Sequence, residues 1–226
     1  MSGELIIVGV GPRGLGQLTL ESLEALKSCR LVLAAVRGPE LQHLCRGLKV
    51  RCVRLPWSGE AAGGLGTKAL AARARKELAR GGRTAVVVDG NPALFSVADA
   101  LPPAKRYAAL SAFDQSLVAL RAEAGDLAAS GVRALNLAAC PPRTRLCDPD
   151  ALTLLFNLGG MARLRPRVAE GVARRLARER AGRLWLVECA DGGDVVTPTT
   201  PAALARDAKN VGVNATLAVA PSRRRA

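Results

Sequence analysis

Four glycines, Gly9, Gly11, Gly14 and Gly16, sit within LIIVGVGPRGLGQLTLESLEAL, residues 5–26. Glycines this close together, between an apolar run and an amphipathic one, make a tight strand-to-helix turn. Such turns present backbone N–H groups to anionic or nucleotide-like ligands. Gly9, Gly11 and Gly14 match the Gly-x-Gly-x-x-Gly dinucleotide spacing, but that chemistry also needs a carboxylate about 20 residues further on for the ribose. The next apolar run ends LVLAAVRG without an acid, and Pro12 and Arg13 occupy the positions where a helix start should offer free amides. The Gly-Lys-Ser/Thr of a phosphate-binding loop is absent from the stretch. The turn therefore points to a ligand other than a nicotinamide, flavin or nucleoside triphosphate.

Other reactive side chains are few. The one histidine, His43, lies in PELQHLCRG, which reads as an exposed loop. The one tyrosine, Tyr107, follows a Pro-Pro pair and either faces a cleft or packs. Asp114 and Glu188 are carboxylates able to accept hydrogen bonds, with Asp114 equally suited to starting a helix. The six cysteines show no Cys-x-x-Cys or other metal-ligand spacing, so no metal site is expected and the thiols read as reduced. No signal-peptide pattern or membrane-length apolar run is present, so a cytoplasmic protein without a membrane partner is expected.

The elements that must position these residues alternate. Leu5 to Val8 reads as a strand buried on both faces, Thr19 to Lys27 as a helix with leucines at helical spacing, and Leu31 to Val36 as a second strand. Val50 to Leu55, a helix over Thr67 to Ala79 and the strand in RTAVVVDGNP repeat the pattern. This is the signature of a parallel α/β sheet, whose ligands bind beyond the carboxyl ends of the strands. Pro102 and Pro103 suggest a linker. Beyond it come a helix (Ser111 to Ala122), strands at Val132 to Ala138 and Thr153 to Asn157, a basic helix (Arg167 to Arg180), the strand RLWLVEC and a last strand from Ala215 to Val219.

With 226 residues the chain is long enough for a sizeable core, which at 49% apolar but only 3% aromatic residues must be built from Ala, Leu and Val. Lysine and arginine number 33 against 19 acids, a formal charge of +14 that favours anionic partners such as an acidic peptide or a polycarboxylate. The basic helix at 167–180 is either a solvated face or a guide for such a partner. Nucleic acid is not expected, because so few aromatics supply no stacking platform.

One resemblance accounts for the glycine turn. GVGPRGLGQLTL is similar to the GxGPGDPxLLT entry of the tetrapyrrole methylase family of S-adenosylmethionine-dependent methyltransferases. VVVDGNPALFS (86–96) resembles that family's Gly-Asp-Pro landmark, and ALSAFDQSL (109–117) its Pro-Gly-x-Ser-Ala helix start without the Pro-Gly. Within the family, GQLTLES, SAFDQSL, DPDALTLLFNLGG (148–160) and NATLAVAP look most like the borosin-type peptide backbone N-methyltransferases.

The resemblance implies a two-lobed α/β fold, with a mostly parallel sheet in an N-terminal lobe (1–104) and a mixed sheet in a C-terminal lobe (105–226). It implies S-adenosylmethionine as donor, held between the lobes by Gly9, Gly11, Pro12, Asn91, Leu94, Phe95, Ser111, Ala112, Asn157, Ala215 and Thr216. It also implies a homodimer. The acceptor would be a backbone amide of an acidic precursor peptide or, alternatively, a carbon of an anionic tetrapyrrole. A third alternative is a catalytically silent binding subunit. Tyr107, Arg13 and Asp89 are the candidates for acceptor chemistry. The Arg-Arg-x-x-Tyr cluster of the peptide methylases, counted back from Gly90, falls on Gly63, Gly64 and Thr67, which lack that chemistry. Asp89 and Asn91 replace the usual neighbours of Gly90, and Arg13 stands where many relatives have glycine.

Overall fold

A computed structural model describes residues 3–36, 39–55, 65–129, 131–164, 167–190, 192–212 and 214–222. The chain divides into two compact units, Met1–Ala112 and Phe113–Ala226. Gly63 and Gly64 lie outside the described residues.

The first unit runs β1 (Glu4–Gly9), α1 (Leu20–Lys27), β2 (Leu31–Ala35), α2 (Glu40–Gly47), β3 (Arg51–Arg54), α3 (Leu65–Ala79), β4 (Arg83–Val88) and β5 (Lys105–Tyr107). Its sheet has the order β3-β2-β4-β1-β5 with every pairing parallel. The apolar runs of β1, β2 and β4 are central and buried on both faces, as unbroken runs demand. Ile6, Val8, Val32 and Val87 pack with Leu26 of α1 and with Leu41 and Cys45 of α2. Leu5, Ile7, Leu33 and Val86 pack with Leu70 and Ala74 of α3 on the other face. The helix α1 starts where Thr19 caps it, its Oγ1 accepting from the Ser22 N–H at 3.1 Å.

Two expectations change here. The boundary falls after Ala112 and not at 104, because the residues after Pro102–Pro103 return to the sheet as β5, with Ile6 beside Lys105 and Val8 beside Tyr107. PELQHLCRG is mostly helix and not loop: Leu41 and Cys45, four residues apart, bury one face of α2 while His43 is exposed on the other.

At the end of α3, Glu77 is the one acid buried among the described residues. Arg30, Arg73 and Arg80 pair with it at 3.1, 3.0 and 2.8 Å. Burial pushes its carboxyl up, but the Arg30 hydrogen bond and the fields of the three guanidinium groups outweigh burial and hold it below the usual range.

The second unit runs α4 (Ala112–Ala124, opening on the last residue of the first unit), β6 (Val132–Asn136), β7 (Leu152–Phe156), α5 (Leu158–Leu164) and α6 (Arg167–Arg178). It continues with β8 (Leu184–Ala190), β9 (Gly193–Thr199), α7 (Pro201–Arg206) and β10 (Thr216–Val219). Its sheet, β6-β7-β10-β8-β9, is mixed: β6 and β7 are parallel and the other neighbours antiparallel. One core joins Leu155, Leu217 and Val219 of the sheet to Leu158, Ala169, Val172, Leu176 and Leu204 of α5, α6 and α7. With that face of α6 buried, Arg167, Arg174 and Arg178 are left exposed. The unexpected β9 is an edge strand, the place where its Pro198 is tolerated.

Candidate active site

In the first unit, the loops beyond β1 and β4 lock onto each other. The Val10 N–H donates to the Val88 carbonyl at 3.1 Å, and Gly11 and Gly90 then form an isolated antiparallel bridge, Gly90 N–H to Gly11 O at 3.1 Å and Gly11 N–H to Gly90 O at 3.3 Å. Both glycines need left-handed backbone, φ 78° at Gly11 and 70° at Gly90. Gly9 is required by contact instead: a Cβ there would run into the Gly90 carbonyl oxygen and lie 2.7 Å from Pro92 Cδ. Gln17 braces the turn from within, its Oε1 accepting from the Arg13 N–H at 2.9 Å. A Cβ on Gly90 would meet nothing within 4 Å, so backbone at the crossing of the two loops stands open to a ligand.

The next residues form a second turn. Asn91 Oδ1 accepts from the Ala93 N–H at 2.9 Å, and the Asn91 carbonyl from the Leu94 N–H at 3.1 Å. Phe95 follows at φ 50°, a conformation that costs a non-glycine residue about 1–3 kcal/mol, with its ring on an exposed residue. The turn is held from β5 by Arg106, whose Nη1 donates to the Pro92 carbonyl at 2.8 Å and pairs with Asp99 at 2.9 Å. Ser111 is buried where α4 is about to begin.

In the second unit, the expected residues gather along one rim of the sheet. Leu217 lies beside Leu155, so continuing that register sets Ala215 beside Asn157; Thr216 lies beside Val187, which sets Ala215 beside Glu188 on the other side. Asn157 takes φ 66°, and its Nδ2 donates to Asn136 Oδ1 at 2.8 Å, which orients the carboxamide. Ala215 and Thr216 are buried. Sequence reasoning did not single out Gln17, Arg106 or Asn136. Arg106 and Asn136 act on partners 14 and 21 residues away, which local pattern does not contain, and Gln17 acts on a backbone amide, which residue type does not reveal.

The acceptor candidates separate. Arg13 heads the short 3-10 turn Gly14–Gln17 and Asp89 leads out of β4 into Gly90, so both belong to the glycine loops. Tyr107 does not. It is buried in the cluster with Val8 and Leu26, Lys105 Nζ lies 4.5 Å from its ring centroid, and its phenol hydrogen-bonds Lys105, raising that amine's pKa. Its backbone lies on β5 beside Val8, one residue before Gly9. Thr67 is buried in α3 with its hydroxyl unpartnered among the described residues. Among those residues no group of His, Cys, Asp and Glu is arranged to hold a metal, and no helix is long and apolar enough to cross a membrane.

The family model for Tetrapyrrole (Corrin/Porphyrin) Methylases matches residues 4–113, which is the first unit almost end to end. That unit belongs to the tetrapyrrole methylase family. The family consists of S-adenosylmethionine-dependent methyltransferases, and the chain is an enzyme of that class.

Solved tetrapyrrole methylases share the fold of both units. Uroporphyrin-III-C-methyltransferase from Thermus thermophilus is 20% identical with a TM-score of 0.66, over 98% of this chain and 94% of that one. The methyltransferase CobJ is 19% identical with a TM-score of 0.64, over 100% and 98%. Precorrin-6Y methylase CbiE from Archaeoglobus fulgidus is 15% identical with a TM-score of 0.61, over 98% and 99%. No curated protein matches by sequence.

Proposed function

We propose that this tetrapyrrole methylase transfers a methyl group from S-adenosylmethionine to a ring carbon of an anionic tetrapyrrole, in a cytoplasmic setting and as a homodimer. The observation that carries the reading is the likeness in fold, over nearly the whole chain, to proteins described as uroporphyrin and precorrin methylases. Their acceptors bear carboxylates, and the formal charge of +14 suits such a ring by long-range attraction.

The residues present fit the donor. Each unit taken by itself carries groups suited to it: in the first, Gly90 leaves backbone uncovered and Phe95 is an exposed aromatic; in the second, Asn157 has a carboxamide oriented by Asn136. When bound, the donor supplies a methyl on a positively charged sulfur; its C–S bond breaks as the new bond forms, the pair stays on sulfur, and the acceptor carbon gives up a proton. The protein's part is to position and to exclude water. Gly9 and Gln17 hold the shape of the first loop, Arg106 that of the second, and Arg13 meets the acceptor's carboxylates.

The backbone-amide reading rests on the SAFDQSL and DPDALTLLFNLGG resemblances and has no Arg-Arg-x-x-Tyr cluster to activate the amide. The two readings separate in one assay, with methyl-deuterated donor supplied together with a uroporphyrinogen-type tetrapyrrole and, separately, an acidic peptide. Labelled methyl on the tetrapyrrole is expected. Label on the peptide alone, or on neither, overturns the proposal.

A further inference from the structure

Glu188 is a carboxylate in the strand LWLVECA, whose other residues, apart from Cys189, are apolar. Half-buried in the sheet, such a group needs hydrogen-bond donors to offset its lost hydration. It has one: its Oε1 accepts the Gly212 N–H at 2.9 Å. The Gly212 carbonyl in turn accepts the Ala215 N–H at 3.0 Å, so two bonds in series lead from β8 to the residues that open β10. Thr216 pairs with Val187, so Ala215 and Glu188 are the next residues of the two neighbouring segments.

Residue 212 packs directly against this carboxylate. A Cβ there would lie 2.5 Å from Glu188 Oε1 and 2.8 Å from its Cδ, and Gly212 is not among the residues with positive φ. A side chain at 212 would have to push the carboxylate aside, and the backbone there is not left-handed. Among the described residues no cation pairs with Glu188. Its role is directed at the amide.

We propose that Glu188 is a positioning residue for the methyl donor: through Gly212 it fixes Ala215 and Thr216, which bind that donor. The proposal rests on the donor reading above. An unfixed Ala215 and Thr216 would have to be ordered by the ligand itself, which weakens binding.

The test is titration of S-adenosylhomocysteine into the wild type and into Glu188→Gln, Glu188→Ala, Gly212→Ala and the Glu188→Ala/Gly212→Ala double variant, with amide hydrogen exchange and melting followed for each. Glu188→Gln keeps an oxygen for the Gly212 amide and binds within about threefold of wild type, while Glu188→Ala weakens binding about tenfold and speeds exchange at Gly212 and Ala215. Gly212→Ala, which displaces the carboxylate from the other side, weakens binding as much. The double variant is no worse than Glu188→Ala, because the clash has lost its partner. A folded Glu188→Ala protein that binds like wild type overturns the role alone, as does Gly212→Ala with unchanged affinity. Wild type that binds no S-adenosylhomocysteine overturns the donor reading and the role with it.

Discussion

Gly11 and Gly90 exchange two backbone hydrogen bonds, at 3.3 and 3.1 Å, as an antiparallel bridge, although the strands leading to them, β1 and β4, run parallel. Each chain must therefore turn sharply on leaving the sheet. Positive φ at both glycines makes the turn, and the missing Cβ at Gly9 lets the two backbones approach. Gly9 and Gly11 of the opening stretch are thus accounted for by a backbone crossing whose outer face is open at Gly90.

The two kinds of glycine respond differently to one methyl group. Gly9→Ala is expected to cost about 1–3 kcal/mol by overpacking against Gly90 and Pro92. Gly90→Ala should cost about 1–2 kcal/mol from its backbone alone, while adding a methyl in open space that hinders the donor. Urea unfolding with donor titration separates the two: Gly9→Ala retains more affinity than Gly90→Ala among molecules still folded. Equal loss of affinity would contradict the assignment of Gly90 to the ligand face.

Asn157 combines left-handed backbone with the hydrogen bond to Asn136. Asn157→Ala loses the bond and keeps the unfavourable φ, for a cost of about 1–2 kcal/mol. Asn157→Gly loses the same bond but relieves the backbone, so it melts higher than Asn157→Ala while binding the donor just as weakly. Asn136→Ala, which removes the acceptor of both the Asn157 carboxamide and the Ala138 N–H, should also weaken binding and lower the melting temperature. A melting series in which Asn157→Ala is the more stable would contradict this account.

The arrangement around Glu77 makes stability depend on pH in the acid range. Its carboxyl is held below the usual value in the folded chain, so its contribution is complete above the unfolded pKa of about 4.3 and is lost as pH falls through the lower folded value. Glu77→Gln is expected to cost about 2 kcal/mol at neutral pH. Urea midpoints measured from neutral pH downwards should converge for variant and wild type in acid. A constant gap across the range would contradict it.

The legible part of the fold was its interior. LIIV, LVLAA and TAVVV are central strands with helices on both faces, and an unbroken apolar run reports that burial directly. The elements that escaped lie at edges or carry mixed signals. β5 is three residues, two of them exposed cations; β9 contains a proline; and α2 hides its leucine spacing behind Pro39 and Gly47. In the site, Gly9, Gly11 and Gly90 could be found by type, but their mutual contact joins residues about eighty apart in sequence. Tyr107, alone of its type and placed after Pro-Pro, is buried in the core of the first unit, which its rarity does not report.

Donor binding is the claim on which the rest depends, and isothermal titration of S-adenosylhomocysteine into the purified wild-type protein tests it most directly. The account predicts saturable binding with one site per chain, lost on Ser111→Trp, which fills the buried position before α4. No heat of binding at millimolar ligand, or binding that survives Ser111→Trp unchanged, would contradict it.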